Sequence, residues 1–134
     1  MGASPMTLIE NFHKPRRRRQ PSVRDEIARP CWLMEEAVAA AFAVPADELR
    51  AASRRTAGAA FARQSAMYLA HVAMGLSFSA VGRIFHRHRT TAAHACQLVE
   101  LRRDDPAIDR RLDMLEGVCT ELARGIHTRP QVRP

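Results

Sequence analysis

Apolar residues recur at helical spacing along most of the chain, and nowhere do they alternate as a strand requires. Ser22, with Asp25 three residues on, predicts a capped helix start. Ile27, Cys31, Met34, Val38 and Phe42 then follow on one face. Pro30 falls inside that run, which predicts a kink or a division into two short helices. Val44-Pro45-Ala46-Asp47 ends the run, and a short helical turn is expected over 47–51. A basic loop from Ala52 to Gly58 leads into a stronger helix, about Ala60 to Met74. Its inner side carries Ala66, Leu69, Ala70 and Ala73, and Gly75 closes it.

Ser77 is a favourable N-cap, and Phe78, Val81, Ile84 and Phe85 mark one short amphipathic helix after it. A tight turn at His86-Arg87-His88 follows. The next helix, about Arg89 to Arg103, turns Ala92, Ala95, Cys96 and Val99 inward. Asp105 as N-cap and Pro106 as first helical residue restart the chain. The last helix carries Ile108, Leu112, Leu115, Val118 and Leu122 on one stripe and ends at Gly125. The pattern predicts an all-α domain of five to six helices over 22–125, containing a helix-turn-helix. The tails, 1–21 and 126–134, lack any apolar period and are expected to be disordered.

Composition narrows the class. With 134 residues the chain fits one small domain, and its 46% hydrophobic but only 5% aromatic content calls for a core of Ala, Leu, Val and Met. No run of about 18 apolar residues is present, so no membrane span is expected. The N-terminus does not read as a signal peptide. Cys31, Cys96 and Cys119 are odd in number and widely spaced, so they are expected to be reduced core thiols of a cytoplasmic protein.

The charge is unevenly spread. Residues 50–103 hold nine Arg against Glu100 alone, whereas residues 22–49 hold six acids against two Arg. A folded segment this basic is the footprint of a polyanion site. The run Arg16 to Arg19 in the N-terminal tail would serve solubility or, as a functional role, non-specific attraction to DNA.

The short helix, tight turn and following helix have the order of a DNA-binding helix-turn-helix. Arg87, His88, Arg89, Thr90 and Thr91 stand where such a helix meets base edges. Arg can bridge guanine O6 and N7, and Thr can offer its methyl to thymine.

On these residues the chain resembles the C-terminal DNA-binding domain (domain IV) of the bacterial replication initiator DnaA. The run from Val81 through Gly82, Phe85, Thr90, Thr91 and His94 to Ala95 is similar to that family's I-G-x-x-F-G-G-R-D-H-T-T-V-L-H-A, one residue shorter at the turn. Arg63-Gln64-Ser65-Ala66-Met67-Tyr68-Leu69 is similar to its R-Q-x-A-M-Y-L, and Asp47-Glu48-Leu49 followed by Arg54-Arg55 matches its basic loop. The resemblance extends over about residues 35–124. It implies that Arg63, opening its helix, enters the minor groove. It implies that Arg87, Thr90 and Thr91 meet the major-groove edge, with His88 and Arg89 standing where the family places Asp and His. His94 is a further candidate base contact. Arg54 and Arg55 would hold phosphates, and the helix capped by Ser77 would offer amides to another. No phosphate-binding G-x-x-x-x-G-K-[ST] loop is present, so a freestanding domain is expected, regulating replication initiation or transcription and competing with the initiator for sites. Double-stranded DNA is the expected partner, without cofactor or metal, and the protein is expected to be a nucleoid-associated monomer.

Other chemistries fit less well. His94 and Cys96 lie about 200° apart on a helix, so they cannot share a zinc ion or form a nucleophile pair. Single-stranded RNA binding calls for aromatic platforms, and Trp32 and Tyr68 are the only Trp and Tyr. The remaining alternative is a protein-interaction module of the same fold.

Overall fold

The structure, a computed structural model, describes residues 23–50 and 57–128, with side chains over 27–50 and 57–125. Among the described residues the chain forms six helices and no strand: α1 (Val23–Ala41), α2 (Ala46–Arg50), α3 (Ala57–Val72), α4 (Phe78–Phe85), α5 (Arg89–Arg102) and α6 (Pro106–Thr128). The all-α expectation holds. Ser22, the loop residues Arg54 and Arg55, and both tails lie outside the described residues.

The expected division at Pro30 does not occur. α1 runs unbroken through it, because the face that carries Ile27, Cys31, Met34 and Val38 is buried on both sides of the proline. Tertiary packing of a whole face outweighs the loss of one backbone hydrogen bond. α1 closes with Ala43 in the left-handed region at φ 55, while the Val44 amide reaches back 2.9 Å to the Ala39 carbonyl.

α3 is the central element and packs against all five other helices. Every residue from Ser65 to Ala70 is buried, so the helix is enclosed on all sides rather than along one stripe. It begins at Ala57, three residues before the expected start. Gly75, at φ 75, turns the chain after it. The Leu76 amide then bonds the Ala70 carbonyl at 3.1 Å. His71 Nδ1 donates to the Leu76 carbonyl at 2.7 Å, and its ring stacks on Phe78 at 4.0 Å between centroids. These contacts fix how α4 leaves α3.

α6 lies along α1 and closes the core. Its buried positions are Leu112, Leu115, Cys119 and Ala123, whereas Val118 is 40% exposed. The apolar stripe is thus rotated from the expected one, with Cys119 replacing Val118. All three cysteines are free and buried. No described helix is long and apolar enough to cross a membrane.

Candidate nucleic-acid interface

The turn between α4 and α5 is built by local chemistry. Ser77 Oγ accepts from the Ala80 amide at 3.1 Å and so starts α4. His86 ends α4 in the left-handed conformation, at φ 57 and ψ 47, and the Arg87 amide bonds the Gly82 carbonyl at 2.8 Å. His88 then caps α5: its Nδ1 accepts from the Thr90 amide at 3.1 Å and lies 2.8 Å from Thr90 Oγ1. Gly82 allows the turn to close, because a Cβ there would stand 2.5 Å from the Arg87 carbonyl oxygen.

α5 is amphipathic, as its sequence predicts. Ala92, Ala95, Cys96 and Val99 are buried, and Arg89, Thr90, Thr91, His94 and Gln97 are exposed. Cys96 points into the core while His94 faces outward, in keeping with their separation on the helix. Gln97 was not singled out by sequence, although it follows Thr90 by seven residues and His94 by three, the spacing of one helical face.

Arg87 is half-buried, and its Nη1 donates to the carbonyls of Phe85 at 3.4 Å and His86 at 3.3 Å. Arg83 is exposed in the last turn of α4, and it lines a groove with His86, Arg87 and Arg89. Arg83 and His86 are two further candidates that sequence reasoning passed over. The signal available for Arg83 was a cation in the last turn of the first helix of the pair.

Arg63 differs from its expected placement. It does not open α3 but lies in its second turn, 6% exposed. Its Nε donates to the Leu49 carbonyl and its Nη2 to the Glu48 carbonyl, both at 3.0 Å. It satisfies the carbonyl end of α2, which would otherwise be buried without partners. It also lines a cleft between α3 and α5, with Gln64, Met67, Thr91 and His94.

The strongly basic segment is partly neutralised by the fold. Arg50 Nε lies 2.6 Å from Glu35 and its Nη1 lies 3.1 Å from Glu36. Arg103 Nε lies 2.6 Å from Asp109, and its other nitrogens meet Asp113 and Glu116. Burial alone would lower the pKa of both guanidiniums, but the carboxylate hydrogen bonds raise it above the ordinary arginine value. Tyr68 joins the second cluster, donating to Glu100 at 2.9 Å and accepting from Arg103 at 3.0 Å. Burial pushes its phenol upward. At the α4–α5 turn Arg83 and Arg89 are exposed, with the half-buried Arg87 between them, so three arginines fall within seven residues.

A short amphipathic helix, a three-residue turn and a second helix with polar side chains outward together form a helix-turn-helix. The family model for the bacterial DnaA protein helix-turn-helix matches residues 33–99, half of the chain. The chain belongs to this family. It is a DNA-binding helix-turn-helix family, and the matched span takes in α2 to α4, the C-terminal part of α1 and most of α5. The match stops at residue 99, whereas the resemblance runs to about residue 124, so α6 lies beyond the match. Comparison with curated proteins and with solved structures found no match.

Proposed function

We propose that this DnaA-type domain binds double-stranded DNA sequence-specifically, laying α5 in the major groove, and regulates replication initiation or transcription at sites resembling those of the initiator. The observation that carries this reading is the exposed side of α5, where Thr90 and His94 lie opposite the buried Ala92, Ala95, Cys96 and Val99 and the exposed Arg89 and Thr91 flank them. Arg87 and Arg89 supply guanidiniums for guanine, and Thr90 and Thr91 supply methyls and hydroxyls. His88 spends Nδ1 on the helix cap and keeps only Nε2 for a base or phosphate. The amides at the start of α4, beside Ser77, and Arg54 and Arg55 of the basic loop hold phosphates. Arg63 serves the fold, since its guanidinium already donates to a buried and a half-buried carbonyl. The domain acts as a nucleoid-associated monomer and competes with the initiator for sites.

Selection from a random duplex pool, with a salt titration on the selected site, tests this. A single asymmetric motif is expected, with a log–log salt slope of about −4 to −5 for four to six neutralised phosphates. Arg89→Ala should cost about 1–3 kcal/mol and relax preference at one position, whereas Arg54→Ala should weaken selected and random DNA alike. A slope near zero with no enriched motif overturns the reading, and leaves the protein-interaction module in its place.

A further inference from the structure

A second arginine site lies at the far end of α5, and none of the roles assigned above uses it. The Arg102 guanidinium sits 4.3 Å from the centroid of the Phe61 ring. Phe61 meets Phe42 edge-to-face at 5.5 Å, and Arg111 covers Phe42 at 5.3 Å. Both arginines are exposed. Among the described residues neither forms an ion pair, in contrast to Arg50 and Arg103, which are held by carboxylates. An aromatic face orients a guanidinium without occupying its N–H donors. Arg102 is therefore an outward donor fork, oriented by the ring and, among the described residues, not neutralised by a carboxylate.

Its position decides what it can reach. Arg102 follows Thr91 by eleven residues, which places it about 20° round the helix and about 16 Å along it. It thus shares the edge of α5 that borders α3, where Thr91 lines the cleft beside Gln64. The major groove is about 12 Å wide. With the α5 N-terminus at base edges, a side chain about 16 Å further along the same edge passes the groove wall and meets the sugar-phosphate backbone. Phe61, its platform, lies in the first turns of α3, directly after the segment that holds Arg54 and Arg55.

We infer that Arg102, pre-oriented on Phe61, is a backbone-phosphate contact that anchors the trailing end of α5 on duplex DNA. This rests on the DNA-binding reading above and adds a contact that the basic loop and the turn do not supply.

The test compares wild type, Arg102→Gln, Phe61→Leu and the double variant. Each is titrated with salt on the selected duplex and on a scrambled duplex of equal length, after circular dichroism and a thermal melt confirm folding. Arg102→Gln should weaken binding to both duplexes by a similar factor, about 3- to 10-fold, and flatten the salt slope by about 0.9. Phe61→Leu keeps the charge but loses the ring, so affinity should fall about 2- to 5-fold with the slope kept. The double variant should be no weaker than Arg102→Gln alone. If wild type binds with a steep slope and Arg102→Gln matches it, the anchor is wrong while the DNA-binding reading stands. A changed motif on selection with Arg102→Gln also overturns it, by making Arg102 a base contact. If wild type itself binds neither duplex, the functional reading fails and the anchor fails with it.

Discussion

Gly82 and Arg87 are locked together across the α4–α5 turn. The Arg87 amide donates to the Gly82 carbonyl at 2.8 Å, and a Cβ on Gly82 would stand 2.5 Å from the Arg87 carbonyl oxygen. The same Cβ would lie 3.3 Å from the Arg89 amide nitrogen, so the first residue of α5 is also set by this contact. Gly82→Ala is expected to destabilise the domain by about 1–3 kcal/mol through overpacking against backbone that cannot swing aside. It should also weaken duplex binding beyond its effect on stability, because α5 must move. Denaturant melts paired with binding titrations below the melting range measure both.

Arg63 should behave as a structural residue. Removing its side chain takes the donor from the buried Leu49 carbonyl and from the half-buried Glu48 carbonyl. Arg63→Ala is expected to cost about 2–4 kcal/mol of stability. Arg63→Lys should recover little of it, since one ammonium does not reproduce a two-donor fork. Urea denaturation checks the loss. Selection from random duplex should return the wild-type motif for any fraction that remains folded.

His86 occupies a left-handed conformation that favours glycine. His86→Gly should therefore stabilise the domain by about 0.5–1 kcal/mol. If the imidazole contributes to the groove it lines with Arg83 and Arg89, the more stable variant should bind duplex DNA less tightly. A thermal melt and an affinity measurement moving in opposite senses are the expected result.

The three thiols should be protected in the native state. Burial, helped by Glu35 beside Cys31 and by Glu100 beside Cys96, pushes both thiols up to about 11, and Cys119 is pushed up to about 12. At neutral pH the native thiolate fraction should fall on the order of a hundredfold below that of a free thiol. A chromogenic thiol reagent should react slowly with native protein and count three cysteines after denaturation. The raised values also set a pH dependence. The unfolded chain begins to release its thiol protons near the ordinary value of 9.0, whereas the folded chain keeps them until about 11 to 12. This contribution leaves stability unchanged below about pH 9 and lowers it as pH rises through that window. Melts at pH 7, 9 and 10.5 should show a small fall by pH 9 and most of the fall in the last step.

The amino-acid sequence by itself determined the helices around the turn. Ser77, the apolar spacing of α4, and Ala92, Ala95, Cys96 and Val99 are local signals, and caps and helical periodicity act over a few residues wherever the chain is placed. The sequence also carried the outward set on α5, since naming one face of a helix names the other. Three matters were decided by tertiary structure alone. Pro30 stayed within α1 because packing on both sides of it outweighed one missing bond. Arg63 turned inward because the carbonyl end of α2, fourteen residues earlier, came to rest against it. The basic segment divided into arginines neutralised by distant carboxylates and arginines left outward at the turn and on Phe61. Each depends on which helices meet, and a formal charge count or a local motif does not contain that information, because burial and ion pairing join residues far apart in the chain.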